Sequence, residues 1–340
     1  MKITGALLEQ PEYSFLKEDP HLGKKLLLLG LGGSFAYGTN QEGSDIDLRG
    51  VAMPSRSDLL GFGSFQQLVD EGTDTTVYAF GRITKLLMEC NPNTIELLGL
   101  LPEHYLILTE IGRELLRRKS LFLSKRAIQS FGGYADAQLR RLENALARER
   151  LPQAKKEEHI LNSLKNMIYS FNARYQSFEN GSFRIYIDEA DNPDLDRELY
   201  VDVSLQRYPL RDYRNIWSDL SSVVRDYDRQ GKRNRKKDDQ KLNKHAMHLI
   251  RLFMMAIDIL EKGEIITYRE KEHDLLMEIR SGGYQNSDGS FKDSFFRLVS
   301  SYEKQLHRAA ENTKLPDQPD REAIEAFVMS VHERAVRGEF

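Results

Sequence analysis

Asp45 and Asp47 flank Ile46 and follow the glycine-rich stretch LLLLGLGGSFAYG after a short polar loop. Side chains at i and i+2 of a strand face the same way, so in an extended segment these two carboxylates project together. Like charges on one face raise the cost of ionisation unless a cation sits between them. Mg2+ meets that demand, because it takes hard oxygen ligands and completes its shell with substrate phosphates. Ile46 points the other way and can anchor the strand. The Gly33-Ser34 turn leaves a buried strand and opens a helix, where backbone N–H groups and a hydroxyl can hold a terminal phosphate. Two solvated acids at a strand end would show the same D-x-D pattern. The apolar flanks and the Gly-Ser helix start just ahead favour metal and phosphate chemistry.

Other glycine-rich phosphate sites fit poorly. A dinucleotide fingerprint beginning at Gly30 meets Phe35 where its third glycine should stand. Gly33 and Gly38 have P-loop separation, but Thr39-Asn40 replaces the required lysine and hydroxyl pair. Neither familiar nucleotide motif is present.

The elements that must carry these residues follow from patterning. Strands are expected at Lys24–Leu31, Ile46–Met53, Gln66–Val69 and Thr75–Phe80, and a helical pattern from Arg82 through Leu98. Asn91-Pro92-Asn93 interrupts that pattern, and with Glu96 it reads as a cap and brace beneath the site. Helical spacing continues at Ile111–Lys119, Lys125–Arg150, Glu157–Glu179, Asn215–Gln230, Asp239–Lys262 and Arg321–Arg337, around a charged, turn-rich region from Gly181 to Arg214. The expected fold is an α/β (α+β) N-terminal domain with a small mixed sheet, followed by a mainly α-helical C-terminal domain. The boundary is placed at residues 1–115 and 116–340.

The 340-residue chain is 40% hydrophobic and 30% charged, which is enough for more than one domain of ordinary globular composition. No apolar run approaches the roughly 20 residues of a membrane span. The N-terminal MKITGALLEQPEYSF lacks an export signal. Cys90 is the single cysteine, which excludes an internal disulfide and a cysteine-based zinc site. A cytoplasmic protein is expected, without membrane contact; oligomeric state is not legible. A net charge of −3 excludes a strong overall field for nucleic acid. The block GKRNRKK, Gly231–Lys237, is locally basic, and reads either as a solvated loop or as a phosphate contact.

The stretch GGSFAYGTNQEGSDIDLRGV resembles the signature of the DNA polymerase β-type nucleotidyltransferase superfamily, a Gly-Ser turn followed by a D-x-D strand. DTTVYAFGRITKLLMECNPNTIELL, FGGYADAQLRRL and NKHAMHLIRL are similar to a branch found in bacteria and phages as predicted nucleotidyltransferases. The resemblance covers most of residues 25–285. It implies a polymerase β-like domain at 1–115 and a helical domain at 116–340 closing the nucleotide and acceptor cleft. It also implies NMP transfer from an NTP to a hydroxyl, with two Mg2+ ions (or Mn2+) held by Asp45, Asp47 and a third carboxylate on a neighbouring antiparallel strand. Asp70, Glu71 and Asp74 are the local candidates. Asp74 is preferred because it directly precedes the strand-like TTVYAF, although E-G-T-D is also good turn chemistry.

Gly33 and Ser34 are the expected phosphate cradle. Lys244, His248 and Arg251 share one helix face at i, i+4 and i+7. The resemblance implies that Lys244 and Arg251 reach the triphosphate; an ordinary solvated polar stripe would look alike. A zinc site from His245 and His248 lacks further ligands. Tyr134, Gln138 and Arg141 recur at the same spacing, and either line the acceptor side or pack helices. RNA 3′ ends are the first acceptor to consider. Protein or small-molecule hydroxyls and second-messenger synthesis are the enzymatic alternatives. A nucleotide-sensing partner protein is the non-catalytic one.

Overall fold

The computed structural model describes residues 5–149, 167–176, 181–189, 197–233, 239–286 and 290–339. Its N-terminal sheet has the order β3-β4-β2-β1-β5. The strands are β1 (Leu26–Leu31), β2 (Leu48–Ala52), β3 (Gln67–Asp70), β4 (Thr75–Ala79) and β5 (Tyr105–Leu108). β1 reads LLLLGL and is buried along its whole length, as a strand covered on both faces should be. It pairs antiparallel with β2 and β5, whereas β2 pairs parallel with β4 and β3 closes the edge antiparallel to β4. The sheet is therefore mixed, as expected. Leu29, Leu48 and Val77 join Tyr13 and Leu16 in one buried cluster. Each fully buried side chain of this kind contributes on the order of 1.5–3 kcal/mol, so the strands that carry the candidate site are firmly seated.

The helices used below are α1 (Gly33–Ala36), α2 (Phe80–Met88), α3 (Glu110–Arg117), α4 (Arg126–Glu149), α5 (Leu210–Arg233), α6 (Asp239–Lys262), α7 (His273–Arg280), α8 (Asp293–Asn312) and α9 (Arg321–Arg337). Shorter helical turns are left unlabelled. The segment 249–260 of α6 is buried on every side. A helix buried all round belongs in an interior, and α6 packs against both α7 and α8. Side-chain caps set the ends of other helices. Thr109 accepts from the Gly112 amide at α3, and Asp320 from the Ala323 amide at α9. No described helix is long and apolar enough to cross a membrane.

Two compact units result, one from Met1–Leu142 with Asp239–Phe340, the other from Glu143–Asp238. The N-terminal sheet and helices α6–α9 thus fold together. The second unit holds an antiparallel pair, β6 (Gly181–Glu189) and β7 (Arg197–Leu205), with α5. Phe171, Phe183, Ile185, Ile216 and Val223 form its buried cluster.

Several elements depart from the pattern read from sequence. The region from Gly181 is not a run of turns but two nine-residue strands, whose alternation places Phe183 and Ile185 inward. β5, α7 and α8 lie outside the expected elements; α8 buries Phe295, Val299, Leu306 and Ala309 at helical spacing. Pairing of β2 begins at Leu48, so Asp45 and Asp47 precede the strand. The expected helix at Glu157–Glu179 falls largely outside the described residues, and its described part is helical over 167–175.

Candidate active site

The site is assembled where β1 ends and β2 and β4 begin. The Gly32 amide donates to the Asp47 carbonyl at 2.8 Å, tying the glycine turn to the acidic loop. Gly33 follows with φ +53°, in the left-handed region that glycine enters without steric cost. Any Cβ at Gly33 would overlap the Asp47 carboxylate oxygen Oδ2. Glycine is required here twice over, by backbone conformation and by the approach of that carboxylate. Ser34 is buried at the first turn of α1, and its carbonyl accepts from the Thr39 amide at 2.9 Å.

The parallel register pairs Leu48 with Thr75, which sets the preceding residues, Asp47 and Asp74, side by side. The Leu48 amide donates to the Asp74 carbonyl at 3.2 Å. Asp74 itself has φ +44°, and its backbone is further held by Arg49, whose Nη1 donates to the same carbonyl at 2.7 Å. Arg49 Nη2 lies 3.3 Å from Asp74 Oδ1. The candidate third carboxylate thus directly precedes β4, which is parallel to β2, where the resemblance implied a position on an antiparallel neighbour. Asp70 is used differently. Its Oδ1 accepts from both the amide and the hydroxyl of Thr73 at 2.8 Å, closing the β3–β4 turn.

Burial, then a hydrogen bond and the charge of Asp74, push the Asp47 carboxyl up to about 7, against the pull of Arg49 and Lys244. The hydrogen bond from Asp47 moves Asp74 the opposite way, below its ordinary value, with Arg49 and Lys244 adding to the effect. Each acid thus biases the other, Asp47 towards its neutral form and Asp74 towards its charged one. This is the behaviour of paired carboxylates short of positive charge. Asp45 is exposed two residues away. Among the described residues, no group of three or more His, Cys, Asp or Glu side chains is gathered to hold a metal ion.

The polar stripe on α6 divides along its length. Lys244 is exposed, and its charge reaches both Asp47 and Asp74. His248 and Arg251 turn inward. Arg251 is only 7% exposed and lies 3.3 Å from the centre of the Tyr37 ring, a close cation–π contact. Tyr37 ends α1 and donates its hydroxyl to Glu96 at 2.9 Å. Burial raises the Glu96 carboxyl, while the Arg251 charge and the Tyr37 hydrogen bond lower it. Arg251 Nη2 lies 3.3 Å from His248 Nδ1. Burial and then Arg251 hold that histidine down to about 3, so neutral imidazole accepts the bond. Arg251, Tyr37 and Glu96 brace the glycine turn from below. The loop after the turn is held as well, by His273 Nε2 at 3.1 Å from the Gly38 carbonyl and by Arg280 donating to the Ser44 hydroxyl at 3.3 Å.

Arg49 and the Tyr37–Arg251 brace were not picked out from the sequence. Arg49 stands at i+2 from Asp47, the spacing already used for the aspartates, so a signal was present. Asn91 caps its turn as expected, accepting from the Asn93 amide at 3.0 Å. Tyr134 receives a 3.4 Å hydrogen bond from Asn93 Nδ2, and Gln138 is buried. The Arg141 side chain and residues 234–237 of the basic block lie outside what is described.

Residues 12–171, just under half the chain, match the model of a family described as RlaP, an RNA repair pathway DNA polymerase beta family. The match supports a polymerase β-type nucleotidyltransferase superfamily assignment. No curated protein and no solved structure matches the chain. The matched stretch contains the Gly33-Ser34 turn, Asp45, Asp47 and Asp74, while Lys244 of α6 lies beyond it.

Proposed function

We propose that this nucleotidyltransferase moves a nucleoside monophosphate from an NTP to an acceptor hydroxyl, with an RNA 3′ end as acceptor, and releases pyrophosphate. The observation that carries the reading is the Asp47–Asp74 pair set against the Gly33 backbone. Two adjacent carboxylates, one of them driven towards its neutral form by the other, fit a divalent cation, whose charge would favour ionisation of both. Mg2+ or Mn2+ bound there supplies Lewis-acid neutralisation of the triphosphate and of the attacking oxygen. Asp45, exposed beside the pair, is the carboxylate left to complete the shell of a second ion.

The chain's own groups divide the remaining work. Amides of the Gly33-Ser34 turn and the Ser34 hydroxyl hold the terminal phosphates, where helix-start donors favour negative charge. Lys244 adds positive charge on the same side. Asp74, kept in its charged form, serves the acceptor side. The acceptor oxygen forms its bond to the α-phosphorus as the bond to the β-phosphate oxygen breaks. Arg251 and His248 act as support for the turn rather than as phosphate contacts. The region 1–115 carries the chemistry and the region 116–340 completes the cleft, with α6 as its contribution. RNA as acceptor is supported by the family's description and by the basic block beginning at Gly231.

The test is incubation with each radiolabelled NTP and Mg2+ or Mn2+. Total RNA, the same RNA with oxidised 3′ ends, protein and buffer alone serve as acceptors. Label on intact RNA with equimolar pyrophosphate is expected. Label that persists on oxidised RNA, or appears only on protein, moves the acceptor elsewhere. No pyrophosphate with any acceptor overturns the transfer reading.

A further inference from the structure

The second compact unit carries an outer face that chemistry at Asp47 and Asp74 leaves unused. Along α5, Leu210, Trp217 and Val224 recur at every seventh residue, and they are 84%, 58% and 45% exposed. The adjoining face of the helix, one residue back from Trp217 and Val224, buries Ile216 and Val223 against Phe171 and Phe183. A helix seated on its own core has no structural need for a second apolar stripe facing solvent.

Among the described side chains, the exposed charges beside the stripe are of one sign. Arg214 precedes Trp217 by three residues and is exposed, as are Arg211 and Arg225. Arg225 is laid along the helix by the Ser221 carbonyl at 3.2 Å and the Ser222 hydroxyl at 3.3 Å. Asp219 turns to the far side, where Arg174 and the Tyr175 hydroxyl bind it at 3.1 and 3.0 Å. The described exposed side chains around Trp217 are thus cationic or neutral. The Trp217 ring also lies 6.4 Å from that of Tyr213, tilted by 32°, so two aromatic planes follow one another along the face.

An apolar stripe alone would suit another helix. Exposed arginines flanking such a stripe suit a polyanion that also offers flat apolar surfaces. Single-stranded RNA is that ligand, since each base has a face to stack and each linkage a phosphate to pair. We propose that this face of α5 binds single-stranded RNA, with a base stacked on Trp217 and phosphates held by Arg214 and Arg225. The inference rests on RNA as the acceptor class and adds the surface that grips the strand.

Trp217 is the chain's single tryptophan, so intrinsic emission of the full-length protein reports on this residue alone. Titration with a short unstructured oligoadenylate is expected to quench that emission saturably. Two phosphate contacts give a salt slope of about −1.4 for log affinity against log salt. Fluorescence anisotropy of labelled RNA then compares variants. Trp217→Ala is expected to weaken binding about tenfold, within the range for losing one stacked base, while Trp217→Phe retains most of the affinity. Arg214→Ala with Arg225→Ala flattens the salt slope. RNA binding without quenching overturns the proposal, as does wild-type affinity in a folded Trp217→Ala variant. A Trp217→Ala change in sedimentation with RNA affinity intact also overturns it, and makes this face a contact between copies. Quenching without transfer to any acceptor would leave the surface standing and remove the transfer reading. Transfer to RNA without quenching would do the reverse.

Discussion

Two places in the same compact unit hold partly or fully buried carboxylates, and they are built in opposite ways. Asp258 on α6 lies between Lys262, whose Nζ is 2.6 Å away, and the buried Arg269, which donates to its other oxygen. One acid there meets two cations. At the end of β1, two acids meet instead: the charge of Asp74 raises the Asp47 carboxyl, Arg49 reaches Asp74 at 3.3 Å, and Lys244 acts from further away. The first site is neutralised from within and holds the loop after α6 to the helix. The second sets one acid against another next to a turn whose donors favour phosphate. Like charges that sit together at a cost to folding mark the place where a cation and its phosphate ligand contribute, and compensated charges mark structure.

The largest effect should therefore come from breaking the compensated site. Asp258→Ala leaves Arg269 buried without its acid, and removal of one partner of a buried pair costs about 3–5 kcal/mol. Urea unfolding should show that loss, and Asp258→Ala combined with Arg269→Met should recover much of it. A loss below about 1 kcal/mol would mean that the pair does not secure this loop. Asp47→Asn and Asp74→Asn should behave in the opposite sense. Turnover is expected to fall by about 10²- to 10³-fold, the scale for removing one group that stabilises transition-state charge. Melting temperature should hold or rise, because a repulsion has been removed. Either variant melting like Asp258→Ala would erase the contrast between the two sites.

Gly33 allows a finer separation. Gly33→Ala forces a side chain into the left-handed region at a cost of about 1–2 kcal/mol, and its Cβ displaces the Asp47 carboxylate as well. Stability and NTP affinity should both drop. Pairing the change with Asp47→Ala removes the overlap but not the backbone strain, so part of the stability should return while turnover does not. Additive losses in the double variant would show that the turn and the acid do not touch.

The parts that could be read in advance are those where one local pattern suffices. β1 is six apolar residues closed by glycines, and the Gly33-Ser34 turn with its aspartates has few other uses. Asp74 was legible only as a preference over Asp70. What separates the two is the parallel register of β4 on β2, and spacing along the chain carries no information about that pairing. The polar stripe Lys244, His248, Arg251 shows the limit of helical periodicity. Spacing put all three on one face, but the buried course of α6 past residue 248 takes the last two into the interior. β6 was obscured by its charged outward residues, although Phe183 and Ile185 already alternate. Residue pairs far apart in sequence, such as Tyr37 with Glu96 and Arg251, leave no local signature at all.

A third acid sharpens the comparison with the smallest effect. Asp58 is satisfied neither by a sharing acid nor chiefly by cations. It is held by neutral donors, accepting from the Ser55 hydroxyl and from the Ser55 amide at 2.9 Å, with the Phe65 amide at 3.3 Å. Its own amide returns a bond to the Ser55 hydroxyl, completing a reciprocal cap at the helical turn Arg56–Leu60. The Ser55 hydroxyl is the main cause that holds the Asp58 carboxyl below its ordinary value, with the two amides and His21 at 3.7 Å adding to it. A folded value below the unfolded one means the ionised form stabilises the fold. That contribution is complete above about pH 3.9, the unfolded value, and disappears as pH falls through the folded value. Asp58→Asn should thus cost about 0.5–2 kcal/mol at neutral pH, the usual worth of a cap. Urea midpoints of the two proteins should converge as the solution is acidified, since protonated Asp58 and the amide that replaces it then offer the turn the same uncharged acceptor. A gap that stays constant into the acid range would place the stabilisation in the shape of the cap and not in its charge.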